Sequence, residues 1–223
     1  MNFIKQTTSL TILFIAFALA FTPVSFAETN NATLKEALEL DRDGFYEEAI
    51  EHWEKLRTDA PANIQLFAGL KLSGTHSKLF NLIEAEEVAK ALSESHPGKY
   101  EAWFSFANAS GALKKYPQAI TAFKKTVELK PDEGLGKVGL AIAYFGNEKP
   151  DLAIAELKGA MKIFKANKNI SWYRDSHLAI RQIKDFARFP PKYANLWLEK
   201  NLKRIQDTFE NSVLDYESML GNP

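Results

Sequence analysis

The histidines, the side chains best suited to bind a metal or move a proton, are scattered along the sequence. A histidine metal site needs its ligands at short, fixed spacings such as His-Glu-x-x-His. No such spacing surrounds any of the four histidines, which are His52, His76, His96 and His177. The sequence therefore predicts no metal site, and we interpret each histidine as a surface or partly buried side chain.

Nucleophile and phosphate-binding motifs are also missing from the sequence. The chain has no cysteine, which excludes disulfides, thiolate metal sites and cysteine nucleophiles. No Gly-x-Ser-x-Gly, Gly-x-x-x-x-Gly-Lys or Gly-x-Gly-x-x-Gly stretch occurs. The nearest match, Gly134-Leu135-Gly136, follows Pro131 and is expected to begin a helix instead of following a strand. We expect no cofactor.

Acidic residues are the remaining candidates for general acid and base chemistry. Glu47-Glu48 and Glu86-Glu87 are neighbours within helical patterns, and we interpret both pairs as solvated helix faces because paired acids need a shared pocket. A hydrolase in the C-terminal segment would have only Asp175 and His177 near each other, without a nucleophile motif. The sequence therefore predicts a protein that is not an enzyme and has no catalytic residues.

Composition and charge narrow the class of protein. Hydrophobic residues make up 46% of the chain and charged residues 25%, which is typical of a folded soluble protein. The 28 basic residues balance 28 acidic ones and are interpreted as spread out, so we expect no nucleic-acid partner.

The N-terminal residues 1–27 have the features of a signal peptide. Lys5 precedes an apolar run of 12 residues from Leu10 to Phe21, and Ser25 and Ala27 suit cleavage after Ala27. An uncleaved anchor is the alternative, but a spanning helix needs about 20 apolar residues. We predict export to the periplasm or the exterior, with no membrane insertion after cleavage.

Two kinds of residue recur along the chain at the same intervals. Small residues recur 36, 34 and 34 residues apart, at Ala49, Ala85, Ala119 and Ala153. Helix-ending prolines recur 36 and 34 residues apart, at Pro61, Pro97 and Pro131, with Lys165 in the next position. Each interval contains two helical patterns joined by a turn, so one helix-helix contact is rebuilt about every 34 residues.

These positions resemble the tetratricopeptide repeat (TPR) family. The third unit shows the pattern most fully, with Trp103, Phe106, Ala107, Tyr116, Ala119, Phe123 and Pro131. The resemblance covers about residues 30–167 and implies an all-α fold, a right-handed α-solenoid of about four helix-turn-helix units. The units are about 30–63, 64–99, 100–133 and 134–167 within an array of residues 28–167. The second unit departs, with Gly74 in the tyrosine position and a longer turn, so we expect a distorted or mobile turn near 75–82.

Residues 168–223 are predicted to form a C-terminal helical capping segment. A first helix carries Trp172, Ile180, Ile183 and Phe186 and ends before Pro190-Pro191. A second, longer helix from Lys192 carries one apolar stripe, formed by Leu198, Leu202, Ile205, Phe209, Val213, Tyr216 and Leu220. This stripe has three interpretations. It packs on the exposed face of the fourth unit or on the preceding helix, which we favour, or lies in the protein's own groove, or forms a coiled-coil dimer.

The TPR resemblance implies that the first helix of each unit lines a concave groove that binds partners. The predicted partner-binding residues are Leu34, Leu38, Leu72, Phe104, Asn108, Leu135, Val138, Ile142 and Phe145. Leu34 and Leu38 replace the lysine and asparagine that some family members use for acidic peptide ends. A mainly apolar groove favours an extended or helical peptide, with Asn108 bonding its backbone, unless the C-terminal helix covers it.

The sequence therefore predicts a non-enzymatic scaffold or adaptor that binds a segment of another protein in the bacterial envelope or exterior. Two alternatives remain. One is a self-assembling structural protein, for example a homodimer, that uses the C-terminal helix. The other is an accessory subunit of an envelope enzyme or assembly complex. The partner's identity does not follow from the sequence.

Overall fold

The computed structural model describes residues 24–189, 191–212 and 214. Within these ranges all regular structure is helical, which confirms the predicted all-α solenoid. The helices are α1 (Val24–Asp43), α2 (Tyr46–Asp59), α3 (Ala62–Lys78), α4 (Leu82–Ser95), α5 (Tyr100–Ala112), α6 (Tyr116–Leu129), α7 (Gly134–Gly146), α8 (Pro150–Ala166), α9 (Ile170–Phe186) and α10 (Asn195–Ser212). A short 3-10 helix, Pro191–Ala194, precedes α10.

Some predicted features lie outside the described residues. They are residues 1–23 of the predicted signal peptide, and Val213, Tyr216 and Leu220 of the predicted apolar stripe. None of the helices that the structure describes combines the length and the apolar composition needed to cross a membrane.

Helices α1 to α8 form four consecutive pairs, and each helix packs on the next one along the chain. The recurring small residues Ala49, Ala85, Ala119 and Ala153 are completely buried. A methyl side chain at these positions lets the neighbouring helices approach closely. Aromatic rings fill the space beside the contacts: the ring of Phe123 packs edge-on against Phe104 at 5.7 Å and lies over Gly139 of the next unit.

Proline sets the length of the second helix in each of the first three units. Helices α2, α4 and α6 each have 14 residues and end two residues before Pro61, Pro97 and Pro131. The proline ring disfavours helical conformation in the residue before it, and Ala60 accordingly has an extended backbone after α2. Helix α8 lacks this signal because Lys165 occupies the proline position, and it extends to 17 residues.

The turn inside the second unit is regular, so the predicted distortion near residues 75–82 is wrong. Phe80 adopts a left-handed backbone with φ of 61°, as Lys114 and Glu148 do in the next two units with 59° and 58°. An equivalent hydrogen bond closes each turn. Asn81 N donates to His76 O in the second unit, and Lys115 N donates to Ser110 O in the third. Helix α3 has 17 residues and α5 has 13, because the two extra residues are helical and the linker before α3 is two residues shorter than the linker before α5. The turn itself keeps three residues.

Glu86 is buried, which corrects its interpretation as part of a solvated face. Only 6% of Glu86 is exposed, and its carboxylate accepts hydrogen bonds from Lys115 Nζ at 2.6 Å, Gln118 Nε2 at 2.9 Å and Ser110 Oγ at 3.3 Å. These donors come from the following unit, so Glu86 joins the second unit to the third. Glu87 is exposed.

Helix α9 continues the array by packing on α8. Trp172 stacks on Phe164 of α8 with ring centroids 5.9 Å apart, and Ile180 and Ile183 are buried. The chain then turns back through the 3-10 helix, and α10 lies across the first helices of three units: α7, α5 and α3. The position of α10 decides which part of the concave face is open.

Candidate protein-interaction groove

Helices α1, α3, α5 and α7 carry all the predicted partner-binding residues. Leu34, Leu72, Phe104, Asn108, Leu135, Val138 and Ile142 are buried, whereas Leu38 and Phe145 are partly exposed. Burial of so many groove positions requires a cover, because the concave side of a repeat array otherwise faces solvent. The cover differs along the groove.

Over the third and fourth units the cover is α10. The ring of Phe209 stacks on Phe104 with centroids 4.4 Å apart, and Trp197 meets Phe145 edge-on at 5.4 Å. Leu202 lies over Gly111, where a Cβ atom would come within 3.0 Å of the leucine side chain. The apolar stripe of α10 therefore lies in the protein's own groove. Its N-terminal end also packs on the preceding helix, where Trp197 contacts Phe186 of α9 with ring centroids 6.1 Å apart, so the favoured interpretation holds for this end only.

A row of polar side chains also joins α10 to the groove. Asn108 Nδ2 donates to Gln206 Oε1 at 2.8 Å, and Gln206 Nε2 donates to Glu210 Oε1 at 2.8 Å. Glu210 pairs with Lys78 of α3 at 3.2 Å. Asn108 was predicted to bond a peptide backbone; here its partner is a side chain of the same protein. Among the described residues, no group donates to Asn108 Oδ1.

The first unit holds an open cleft with a volume of about 830 Å³. It lies between α1, α3 and the C-terminal end of α10. Its lining includes the predicted residues Leu34 and Leu38; the other lining residues are Asn31, Lys35, Glu39, Asp41, Arg42, Tyr46, Lys71, Lys78, Glu210 and Asn211. Among the residues that the structure describes, the predicted groove is therefore open at this end and covered at the other.

Asp41 is the centre of charge at the floor of this cleft. Its carboxylate pairs with Lys71, accepts a hydrogen bond from Lys78 Nζ at 3.0 Å and another from Thr75 Oγ1 at 3.2 Å. Burial alone would raise the pKa of Asp41, but the ammonium groups of Lys71 and Lys78 outweigh burial and hold it below its ordinary value of 3.8.

Lys78 connects the cleft to α10 because it pairs with both Asp41 and Glu210. Burial alone would lower the pKa of Lys78, but these two carboxylates together raise it above its ordinary value of 10.5. The lowered pKa of Asp41 and the raised pKa of Lys78 keep both groups charged at neutral pH, so an ion pair joins α1 to α3 at the border of the open cleft.

The side chains considered for catalysis are not brought together. Asp175 pairs with Arg204 of α10 and accepts a hydrogen bond from Ser171, while His177 is exposed. Within the ranges that the structure describes, no group of three or more acidic or histidine side chains is placed to hold a metal ion.

Three residues of this contact were not predicted from the sequence. They are Gln206 and Glu210, which enter the groove from α10, and Lys78, which pairs with Glu210. One signal was present. Gly74 replaces the usual tyrosine, and a Cβ atom there would come within 2.5 Å of Glu210 Oε1. The glycine leaves room for the side chain that reaches Lys78.

Comparison with known proteins gives a likeness of structure only. No protein-family model and no curated protein sequence matches the chain. Among solved structures, MamA residues 41 to the end from Desulfovibrio magneticus RS-1 is 15% identical, with 82% of this chain and 96% of that chain covered and a TM-score of 0.59. Another MamA crystal structure is 18% identical, with coverages of 83% and 96% and a TM-score of 0.58.

A kinesin-light-chain-like protein from Podospora anserina, with nearly identical TPR-like repeats, is also similar. It is 15% identical, with 83% of this chain and 96% of that chain covered and a TM-score of 0.58. At these identities the likeness concerns the fold and not the function. The chain therefore has the fold of the tetratricopeptide repeat proteins, as its repeat intervals predict.

Proposed function

We propose that the protein is a non-enzymatic scaffold that binds a segment of another protein on its concave face. The TPR-like fold supports this role because such arrays present an extended surface assembled from several repeats. The lack of any catalytic motif in the sequence supports it further.

The open cleft of the first unit is the observation that carries the proposal. It combines an apolar wall, Leu34, Leu38 and Tyr46, with side chains of both charges, including Lys35 and Glu39. An extended segment of a few residues fits a cleft of about 830 Å³. Apolar side chains of the partner would contact the partly exposed Leu38 and Tyr46, and its polar groups would meet the charged rim.

A second binding mode uses the part of the groove that α10 covers. Helix α10 is an amphipathic helix seated on Phe104, Asn108 and Phe145, so this surface accepts a helix with apolar and amide side chains in the same order. A partner helix would have to displace α10. Self-assembly through the α10 stripe is less favoured, because Leu202 and Phe209 are already buried in the same chain.

Site-specific photo-crosslinking in the source cell tests the first mode. A photoreactive residue placed at Leu38 should form a defined adduct, whereas the same residue at Lys55, exposed on α2, should not. The substitution Leu38→Glu, made together with a probe at Tyr46, should abolish that adduct. Identical adducts from positions 38 and 55, or none from 38, would refute binding in the cleft.

We also propose that the protein acts in the bacterial envelope or exterior. Support comes from the sequence of residues 1–27, with Lys5, the apolar run Leu10 to Phe21 and the small residues before Glu28. The intact mass of the protein from the exported fraction should correspond to a chain that begins at Glu28. A chain that still carries Met1 and remains with the cytoplasm would rule out this location.

A further inference from the structure

The outward face of α9 carries basic residues at regular helical spacing. Arg174, His177, Arg181 and Lys184 follow at steps of three, four and three residues, which places them on one side of the helix, and Arg188 comes just after its end. All five residues are exposed. The opposite side, with Ala179, Ile180 and Ile183, is buried.

These basic side chains have no acidic partner within the part of the chain that the structure describes. No ion pair there involves any of the five, whereas the neighbouring Arg204 pairs with Asp175. Residues 170–193 contain five Lys or Arg and two Asp or Glu, although the whole chain is balanced. A cap that only keeps the array soluble would work equally well with charges of both signs.

Large apolar side chains lie exposed in the segment of the chain that directly follows this basic face. Phe189, Tyr193 and Leu196 are 59%, 60% and 76% exposed, and the rings of Phe189 and Tyr193 touch with centroids 6.4 Å apart. Lys192 lies over the Tyr193 ring at 5.3 Å. Leu178, between the basic residues on α9, is also half exposed. Basic side chains beside exposed aromatic and aliphatic ones are typical of surfaces that bind the headgroup region of a bilayer.

We propose that α9 and the segment after it, residues 170–196, form a docking face for a membrane surface rich in anionic phospholipid. The basic row contacts the headgroup phosphates, and Phe189, Tyr193 and Leu196 enter the boundary between headgroups and acyl chains. Helix α9 is about 25 Å long, from 17 residues at roughly 1.5 Å each, so it can lie flat on a bilayer. This binding is peripheral and leaves the concave cleft free.

Vesicle flotation tests the proposal with the protein as cells produce it. Vesicles of equal parts phosphatidylglycerol and phosphatidylcholine are compared with phosphatidylcholine alone. The protein should float with the first and not the second. The double substitution Arg181→Glu and Lys184→Glu should weaken binding by about thirtyfold, since each basic residue at such a surface contributes roughly a factor of five.

A matched control carries Lys55→Glu and Lys124→Glu, which change net charge equally on exposed sites of α2 and α6. It should bind within about threefold of wild type, because charges farther than about 8 Å from the membrane are screened at physiological salt. Every variant keeps the same N-terminal residues, so differences between variants report on α9. Equal losses in both variants, or no flotation of the wild type, would overturn the proposal.

A second variant separates lipid from other polyanions. Phe189→Ser with Tyr193→Ser removes apolar side chains without altering charge and should weaken vesicle binding by about tenfold. If the wild type instead binds duplex DNA or polyglutamate as tightly as vesicles, and this variant binds all of them normally, the lipid assignment is wrong. Circular dichroism and melting curves must match wild type for each variant.

Discussion

The two halves of the concave face use the same repeat and differ in what lies opposite. In the third and fourth units, apolar residues such as Phe104 and Phe145 are covered by Phe209 and Trp197 of α10. In the first unit, no described residue covers the cleft with the charged floor around Asp41. The difference shows that the chain covers the part of its groove that would otherwise expose aromatic surface to water.

The largest expected effect comes from removing the aromatic contact of the covered half. Phe209→Ala should lower the free energy of unfolding by about 3 kcal/mol, because it removes a fully buried ring from its stack on Phe104. Leu38→Ala, at a partly exposed position of the open cleft, should cost about 1 kcal/mol or less. Urea denaturation measures both values. Equal costs would show that the two halves are packed alike.

The stability of the open half should depend on ion pairs more than on apolar packing. Asp41→Asn should destabilise the protein by about 2 kcal/mol at neutral pH, because Lys71 and Lys78 lose their shared carboxylate. The folded pKa of Asp41 is depressed, so its contribution is present above the unfolded pKa near 3.8 and is lost as pH falls through the lower folded value.

Urea titrations of wild type and Asp41→Asn between neutral pH and pH 2 follow this contribution. The difference in stability should shrink below about pH 4. Leu38→Asn serves as the control, since it introduces an amide into the same cleft without removing a charge. A constant difference over the whole range would show that Asp41 contributes by shape and not by charge.

The ion pair at the border between the halves should contribute less to stability than either of these side chains. Lys78 and Glu210 pair at 3.2 Å, and the Glu210 side chain is nearly buried. A double-mutant cycle with Lys78→Met and Glu210→Gln should give a coupling energy of about 1 kcal/mol. The same cycle with Lys203 and Asp207, an exposed pair on α10, should give about 0.3 kcal/mol. Similar values for the two pairs would mean that the border does not fix α10.

The smallest effect should be the same in the turns of the second and the fourth unit. Phe80→Gly in the second unit and Glu148→Gly in the fourth each remove a side chain from a left-handed backbone position. Each should raise the free energy of unfolding by about 0.5 kcal/mol, because glycine adopts this conformation without steric cost but loses more backbone entropy on folding. Thermal melting checks both. A gain in one half only would extend the difference between halves to the turns.

The sequence alone predicts the repeat, but it does not predict that α10 covers part of the groove. Ala49, Ala85, Ala119 and Ala153 and the three prolines determine local packing and helix ends, and both effects act over a few residues. The same local rules failed for Glu86. Its helical pattern resembles that of its exposed neighbour Glu87, and the donors that bury it come from the next unit.

The position of α10 was beyond sequence reasoning for a related reason. An amphipathic stripe shows that a helix has an apolar side but not which surface it meets. The end of the array, the groove and a second copy all offered apolar partners. The choice depends on the fit of Leu202 over Gly111 and of Glu210 beside Gly74, which appears only in three dimensions.

The contact between Asn108 and Gln206 joins residues that are 98 positions apart, whereas the helices of the array mostly contact their neighbours along the chain. Local contacts form quickly and distant ones slowly. The first helices of the units can therefore assemble before α10 closes over them. A partner that is present during folding meets the groove before this closure, whereas a later partner must compete with a helix that is tethered to the same chain.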